Sequence, residues 1–438
     1  MRKILLMILM ILILSLSNNF SYAQELNNIS GLSLEECLIL ALNNHPSLKK
    51  SKASTKDIAA QLEAIRAANR VTVNLTGSLR YNGDYEEWSN RYHNESLTIT
   101  ASKLLYDTGR NKLQQEIRKE SLLGSEETLK NTEITVAANA KKAYYDLVLK
   151  FLNRDVEKEK LISLQKHLET AQGLYDVGNS SFIDVTKAQA DVAGAKVSLM
   201  KAENDILISQ EALRVAMGTD INTPFNIALS TELLLPQPVE GMDALINTAM
   251  NDRPDYKKLM HDVKGNELSI KNAARANSPT INGQVSSSFN NREGSSSTED
   301  YAIGISVNVP VEDGGVMKAN VASARAQLES TQADVESLKQ QITYGVRSAA
   351  LSLMNAVDRV KSSGLSVQYA EENLQLAQGR YEVGVGNAIE LSDAVSSLAG
   401  ARYTYYQALY DAQTARAELD LALGHLPPEL EGKIINAE

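Results

Sequence analysis

The sequence predicts a mainly α-helical protein with a membrane β-barrel, built from two tandem repeats that each combine a long helical hairpin with a strand pair. The first observation is an internal repeat: segments 171–178 and 377–384 agree at six of eight positions, 206 residues apart. The second is that two proline-free stretches, 47–223 and 311–426, carry apolar residues at steps of three and four. The third is that the apolar period changes to two between the helices. A duplicated unit of this length indicates a quasi-symmetric architecture.

Residues 1–23 are predicted to be a cleaved secretory signal. They begin Met-Arg-Lys, continue with an apolar run from Ile4 to Leu14 and end Ser-Tyr-Ala, an order that is typical of export signals. No later stretch has the roughly 20 apolar residues that a membrane-spanning helix needs. The formal net charge of −10 disfavours a nucleic-acid partner, because phosphate binding needs a basic surface.

The single cysteine, Cys37, follows two glutamates well after the predicted cleavage site. No intramolecular disulfide can form with one cysteine, and this context is poor for lipid attachment. We therefore expect Cys37 to be a small buried residue on an amphipathic helix.

Two long helical hairpins are predicted from the heptad spacing of the apolar residues, which is typical of the contact line between packed helices. In the first repeat the series runs to Val177 and Gly178 and resumes a few residues later, and in the second it runs to Val383 and Gly384. Glycine after the last periodic residue is typical of a helix end, so the hairpin tips are expected near residues 178 and 384. The apolar residues expected to lie between the helices near the tips are Leu161, Leu164, Leu168, Ala171 and Tyr175, and in the second repeat Val367, Ala370, Leu374, Ala377 and Tyr381.

Strand pairs are predicted at 71–106 and 279–311. In the first pair, Val73, Leu75 and Leu79 alternate with Thr, Asn and Ser, so each strand has one apolar and one polar face. Segments of about ten residues with this alternation are typical of transmembrane β-strands. An ordinary half-buried hairpin shows the same periodicity, and the pattern alone leaves that alternative open.

The four predicted strands cannot close a barrel by themselves, since about eight are needed. Unpaired strand edges are not tolerated in lipid. If the strands lie in a membrane, the chain must therefore assemble with further copies of itself, and three copies would contribute twelve strands.

The order of these elements resembles the outer-membrane efflux protein family typified by TolC, over residues 33–424. It comprises a helix broken near Pro46 or Pro254, a strand pair, a long helix, a tip with Tyr-x-Val-Gly followed six residues later by an acid, and a returning helix. The resemblance implies a homotrimer in the lipid of the cell outer membrane, with a 12-strand barrel that continues as an α-helical tunnel through the periplasm. It also implies a passive exit duct of a tripartite efflux or type I secretion system, which docks onto a periplasmic adaptor (membrane fusion) protein and an inner-membrane pump.

The repeat divides the chain into consecutive parts. The first repeat is expected over 24–218 and the second over 241–424. A linker at 219–240 would connect them, and a tail at 425–438 would follow the second repeat.

The resemblance assigns adaptor contacts to four residues of the two tips. Val177 and Gly178 in the first tip, with Val383 and Gly384 in the second, would lie in the grooves that an adaptor hairpin contacts. The same glycines are needed to end the helices in any case, so their presence alone does not distinguish the two roles.

The resemblance also implies an acidic pore constriction. Glu390 and Asp393 fall where family members carry two aspartates facing the pore, one helical turn apart, so three chains would form a ring of carboxylates. Asp184 is the counterpart of Glu390 in the first repeat and would take part in tip contacts between chains at this constriction. Solvated helix charges are the alternative for any such acidic pair.

Tyr381 corresponds to the tyrosine of a closing latch that is described in some family members. Those members carry a basic residue two positions after the second tip glycine, whereas this chain has Gly386 there. The latch of those relatives is therefore not expected to operate unchanged, and closure here would be weaker or would use other residue pairs.

An enzyme, a metal site and a cofactor site are all disfavoured by the sequence. The five histidines are scattered over different elements, without a cysteine or carboxylate at metal-ligand spacing. Gly-x-Ser-x-Gly and phosphate-loop motifs are absent from the sequence. The alternative function is a periplasmic coiled-coil adaptor or structural protein, although an adaptor carries one hairpin flanked by compact β domains. The cargo is left open among drugs, metal ions and secreted proteins.

Overall fold

The structure is a computed structural model, and it describes residues 31–83, 92–220, 225–228, 235–236, 241–383 and 385–430. The predicted signal peptide and Gly384 lie outside the described residues, as do parts of the predicted linker and tail. Within the described ranges, no helix is both long enough and apolar enough to cross a membrane.

The first half of the chain forms two short helices, two strands and a long helical hairpin. They are α1 (Leu34–Asn44), α2 (Pro46–Ala67), β1 (Thr72–Asn82), β2 (Tyr92–Tyr106), α3 (Arg110–Asp176) and α4 (Phe182–Met217). The second half repeats this order as α5 (Met242–Asp252), α6 (Pro254–Ala274), β3 (Thr280–Arg292), β4 (Thr298–Asn308), α7 (Val316–Glu382) and α8 (Ala388–Leu423). Both α3 and α7 have 67 residues, and both α4 and α8 have 36. Each of the two longest helices therefore spans about 100 Å at 1.5 Å per residue.

The junctions around the strands are also repeated. Pro46 and Pro254 each occupy the start of a helix, where the missing N–H of proline costs nothing. At the return from the sheet, Asp107 accepts the backbone N–H groups two and four residues later at 2.9 and 2.6 Å. Asp313 does the same at 2.9 and 2.8 Å. These two aspartates start the long helices directly below the sheet.

The four strands form one antiparallel sheet in the order β1-β2-β3-β4, so that β2 and β3 join the two halves of the chain. Residues directly opposite each other share a face of the sheet. One row on the first face is apolar: Val73, Ala101, Val285 and Ile303. One row on the second face is polar: Thr76, Thr98, Ser288 and Asp300. The register therefore collects the alternating residues of all four strands into one apolar and one polar face.

The two hairpins pack side by side through small apolar residues. Near the tips, one cluster of buried residues joins α3, α4, α7 and α8: Leu164, Val192, Ala195, Ala377, Tyr381, Ala388, Leu391, Ala394 and Val395. Further along α8, Arg402 pairs with Glu159 of α3 and with Glu371 of α7 at 2.9 Å. These ion pairs connect the two hairpins.

Tyr175 was predicted to be a buried contact residue between the helices, but the structure places it at the surface. Tyr175 is 41% exposed and lies against Phe182, with ring centroids 5.6 Å apart. Its counterpart Tyr381 is buried and lies against His167 of α3. The two equivalent tyrosines therefore have different aromatic partners.

Cys37 is fully buried on α1. It packs in a cluster with Tyr144, Leu147 and Leu213, and burial raises the pKa of its thiol to about 12. The expectation of a small buried residue at this position is confirmed.

Candidate functional site at the hairpin tips

The described residues of the two hairpin tips, within 174–184 and 380–390, share the same end to the first helix of the hairpin. The cap of α3 is Val177, with φ −94° and ψ 4°, and that of α7 is Val383, with φ −91° and ψ 5°. Gly178 follows with a φ of 80°, in the left-handed region that glycine favours at a helix end. Leu174 and Arg380, at equivalent positions, each accept the backbone N–H from five residues later, at 2.8 and 3.0 Å.

In the first tip, the carboxylate of Asp184 is bound to the turn that precedes it. Ser181 caps the start of α4, and Asp184 accepts the backbone N–H of Ser181 at 3.3 Å. This reciprocal pair is a capping box. The hydroxyl of Ser180 donates to the same carboxylate oxygen at 2.8 Å, so Asp184 has two local donors.

In the second tip, the acid at the equivalent position has a different partner. Asn387 caps α8, and its side-chain oxygen accepts the Glu390 N–H at 2.7 Å. The carboxylate of Glu390 forms an ion pair with Arg380, whose Nε lies 3.1 Å from Oε1. Since Arg380 belongs to the last turn of α7, the pair crosses from one helix of the hairpin to the other.

Gly386 is required by the close approach of the turn to Arg380. The Arg380 carbonyl accepts the Gly386 N–H at 2.9 Å. A Cβ at position 386 would lie 3.0 Å from the carbonyl carbon of Arg380 and from the nitrogen of Tyr381, closer than side chains normally come. A basic side chain at 386 would therefore be strained in this turn, and Arg380 supplies a base from the preceding helix.

Asp393 follows Glu390 by one helical turn, and both side chains are exposed. Residues three apart share a helix face, so the two acids lie on the same face of α8. The counterpart of Asp393 in the first repeat is Lys187, which is 3.9 Å from Asp191. The second tip thus presents two acids where the first presents an acid and a base.

A buried contact between His167 and Tyr381 joins α3 to α7 just behind the tips. Their ring centroids are 5.0 Å apart, with an interplanar angle of 67°, and the residues are 4% and 7% exposed. Nδ1 of His167 and the hydroxyl of Tyr381 are buried, without a hydrogen-bond partner in the described part of the chain. Burial lowers the pKa of His167 and raises the pKa of Tyr381, so this packing favours the neutral form of both side chains.

Both tips expose apolar side chains at their ends. Val177 and Val383 are 69% and 73% exposed, and Ile183 and Ile389 are also exposed. Exposed apolar residues grouped in this way are typical of a surface that contacts another protein. Gly384, which was predicted to belong to this surface, lies outside the described residues.

The structure brings the predicted tip residues of both repeats to one end of the molecule. Ser392, beside Asp393 on α8, donates its hydroxyl hydrogen to Asp191 of α4 at 2.8 Å, which holds the two hairpin ends together. Sequence analysis did not find Arg380 or His167. A position-by-position comparison of the repeats could have found Arg380, whose counterpart is Leu174, whereas nothing in the local sequence marks His167.

The comparison with known families decides what kind of protein this is. The sequence matches the family described as outer membrane efflux protein over residues 38–219 and 245–425. These two matched segments correspond to the two halves of the fold. The chain belongs to the outer membrane efflux protein family.

Related proteins share low identity with this chain over most of its length. The probable outer membrane lipoprotein SilC of Salmonella typhimurium is 22% identical over 395 residues, covering 88% of this chain and 84% of SilC. The probable efflux pump outer membrane protein TtgC of Pseudomonas putida is 23% identical over 406 residues, covering 90% of this chain and 83% of TtgC. The crystal structure of the CmeC outer membrane channel of Campylobacter jejuni aligns with a TM-score of 0.76 at 16% identity, covering 89% of this chain and 85% of CmeC.

These findings confirm the predicted fold class, that of outer-membrane efflux channels with a helical tunnel and a barrel. The protein is an efflux channel of the outer membrane, whose helices extend into the periplasm. The alternative of a periplasmic adaptor or structural protein is not supported.

Proposed function

We propose that three copies of this chain assemble into a passive exit duct that docks onto a periplasmic adaptor and an inner-membrane pump. The observation that carries the trimer is the open sheet. The edge strands β1 and β4 each have 11 residues, and each has one side without a partner strand among the described residues. Unpaired edges are not tolerated in lipid, so β1 of one chain pairs with β4 of the next. Three four-stranded sheets then close one barrel.

The long helices also support assembly. In the isolated chain, α7 exposes large apolar side chains at positions related by a heptad: Tyr344, Leu351, Leu365, Tyr369 and Leu376. A second exposed set lies on α4: Val197, Met200, Leu207, Ile208 and Val215. Exposed heptad spacing is typical of a helix that packs against another helix. Neighbouring chains of the trimer would cover both sets.

The trimer is tested by weighing the detergent-solubilised protein by light scattering. The expected mass is about three times that of the mature chain, because a single open sheet is unstable in lipid. A monodisperse monomer would contradict the proposal.

Arginine substitutions test which face of the sheet meets the lipid. Leu75→Arg or Ile303→Arg on the apolar face should reduce the yield of membrane-assembled protein, since a charge on the lipid face costs about 2–4 kcal/mol near the bilayer midplane. The matched controls Thr76→Arg and Ser306→Arg, on the polar face, should be tolerated. Equal losses on the two faces would show that the sheet is not in a membrane.

The tips are proposed as the adaptor-docking surface, with Val177, Gly178, Val383 and Gly384 as contact residues. What supports this role is the exposure of the two valines at the ends of the hairpins, beside the exposed Ile183 and Ile389. Placing charges there with Val177→Asp and Val383→Asp should prevent co-purification with the adaptor, while the mass of the channel stays trimeric. Retained co-purification would place the adaptor contact elsewhere.

We further propose that the tips form the closed entrance of the duct. Glu390 and Asp393 are exposed on one face of α8, and three chains would bring these acids around the threefold axis as a constriction. Asp184 lies at the same end, where its carboxylate holds the turn of the first tip. Tyr381 is proposed as part of the closing latch, since it is buried against His167 and holds α7 against α3. The duct has no catalytic role in this proposal.

A further inference from the structure

The second tip contains an ion pair that the proposed acidic constriction does not use. Nε of Arg380 lies 3.1 Å from Oε1 of Glu390. We propose that Arg380 sets the ion selectivity of the channel by neutralising Glu390, so that Asp393 carries the net negative charge of the constriction. The inference rests on the proposed position of Glu390 and Asp393 at the pore.

The local sequence leaves the carboxylate of Glu390 available to Arg380. In the first tip two serines donate to the equivalent Asp184. Their counterparts in the second tip are Gly386 and Asn387. Gly386 has no side chain, and the side-chain oxygen of Asn387 accepts a backbone N–H. Asn387 keeps the backbone N–H through which Ser181 donates, so the donor that the second tip loses is the hydroxyl of Ser180.

The backbone of Arg380 is held in place by the same turn. Its carbonyl accepts the N–H groups of Val385 and Gly386 at 3.0 and 2.9 Å. It also lies in the last turn of α7, where the helix dipole favours a positive charge. The counterpart of Arg380 in the first tip is Leu174, so only the second tip offers a cation at this point.

The ion pair of Arg380 with Glu390 would change the net charge at the proposed constriction. Its partners are 55% and 41% exposed, and exposed ion pairs contribute little to stability. A ring of acidic side chains attracts cations in a pore, and pairing with Arg380 cancels one of the two acids that each chain would contribute. The channel should therefore be less cation-selective than its two acids per chain suggest.

The test is the reversal potential of single channels in planar bilayers under a KCl gradient. Arg380→Gln should raise the cation-to-anion permeability ratio severalfold, because it uncovers Glu390, and Glu390→Gln should lower the ratio. The double variant, which removes the neutral pair as a whole, should return to the wild-type ratio. Arg380→Lys keeps the charge and should behave as wild type.

A matched control is available on the same helix. Lys361 forms an exposed ion pair with Asp358 at 3.7 Å, about 28 Å from Arg380 along α7 at 1.5 Å per residue. Lys361→Gln makes the same charge change away from the tip and should leave the ratio unchanged. All variants are first weighed by light scattering, so that only trimers are recorded.

The outcomes separate this inference from the proposed constriction. If Asp393→Asn lowers the ratio while Arg380→Gln leaves it unchanged, the acidic constriction stands and the role of Arg380 is overturned. If neither Asp393→Asn nor Glu390→Gln changes the ratio, the constriction is not at these residues, and the inference fails with it. A double variant far from the wild-type ratio would show that the two charges do not compensate each other.

Discussion

At the first hairpin tip, Asp184 is held by two serines of its own turn, whereas at the second tip the equivalent Glu390 is paired with Arg380 of the opposite helix. The ends of α3 and α7 agree closely, since their caps differ by only a few degrees in φ and ψ. The two repeats therefore share the same helix end but differ in the partner of the acid that follows it. In the first tip the acid stabilises a helix start, and in the second it pairs with a base of the opposite helix.

The difference extends to the neighbouring positions of the tips. Lys187 in the first repeat corresponds to Asp393 in the second, so only the second tip carries two acids on one helix face. Tyr175 is exposed in the first tip, whereas Tyr381 is buried against His167 in the second. The two repeats thus form similar hairpins whose tips differ in charge and in packing.

The largest difference between the tips is expected from the two tyrosines. Tyr381→Ala should destabilise the packed tip by about 3–5 kcal/mol, because it removes a buried aromatic side chain. Tyr175→Ala should cost far less, since this ring is 41% exposed in the isolated chain and contacts Phe182, which is itself 62% exposed there. The measurement is hydrogen exchange of the backbone amides around each tip in the trimer. Equal increases in exchange for the two variants would contradict the asymmetry.

Acidification should loosen the second tip through His167. Burial lowers the pKa of His167 from an ordinary value of about 6.5, and this effect outweighs Asp191 and Asp184, which raise the pKa, while Lys187 lowers it further. His167 therefore binds a proton more tightly when it is exposed to solvent than when it is packed against Tyr381. The contribution of the contact is full above about pH 6.5 and is lost as the pH falls through the lowered pKa.

The check is hydrogen exchange around Tyr381 at about pH 7.5 and about pH 5.5, within the range where histidine titrates, with correction for the intrinsic exchange rate. The control is His167→Asn, which copies Asn373 at the equivalent position of the second repeat. This variant should lose the pH dependence. If the pH dependence persists in it, another group is responsible.

A smaller difference is expected from the two acids themselves. Asp184→Ala removes one half of a capping box and should destabilise the start of α4 by about 1 kcal/mol. Glu390→Ala removes an exposed ion pair and leaves the cap of Asn387 in place, so the start of α8 should change by no more than about 0.5 kcal/mol. Amide exchange in the first turn of each helix measures both effects. A larger loss in α8 than in α4 would reverse the roles assigned to the acids.

Much of the fold could be predicted from the sequence because its signals are local and occur twice. Gly178 and its counterpart Gly384 each follow the last periodic residue of a long helix in the sequence. This position indicates a turn even when the residues that pack against it are not known. Alternation such as Val73 and Leu75 assigns a face to each strand, and the register keeps those faces. In both cases, residues close in the sequence determine the structure.

The partners at the tips could not be predicted in the same way. Arg380 and Glu390 meet across a turn whose shape depends on the close approach of Gly386 to the backbone. Tyr175 lies against Phe182 of its own hairpin, whereas the equivalent Tyr381 lies against His167 of the other hairpin. Such contacts are set by packing between helices, and heptad spacing does not contain that information.

We propose that the acids of the second tip, and not the charged residues of the first, set the ion selectivity of the entrance. The most direct measurement is single-channel recording in planar bilayers of Glu390→Ala with Asp393→Ala, beside the matched pair Asp184→Ala with Lys187→Ala in the first tip. The variant of the second tip should lose cation selectivity and block by trivalent cations, because it removes both acids from one helix face. The variant of the first tip should keep both properties. Unchanged selectivity and block in the variant of the second tip, or equal losses in the two variants, would contradict the account.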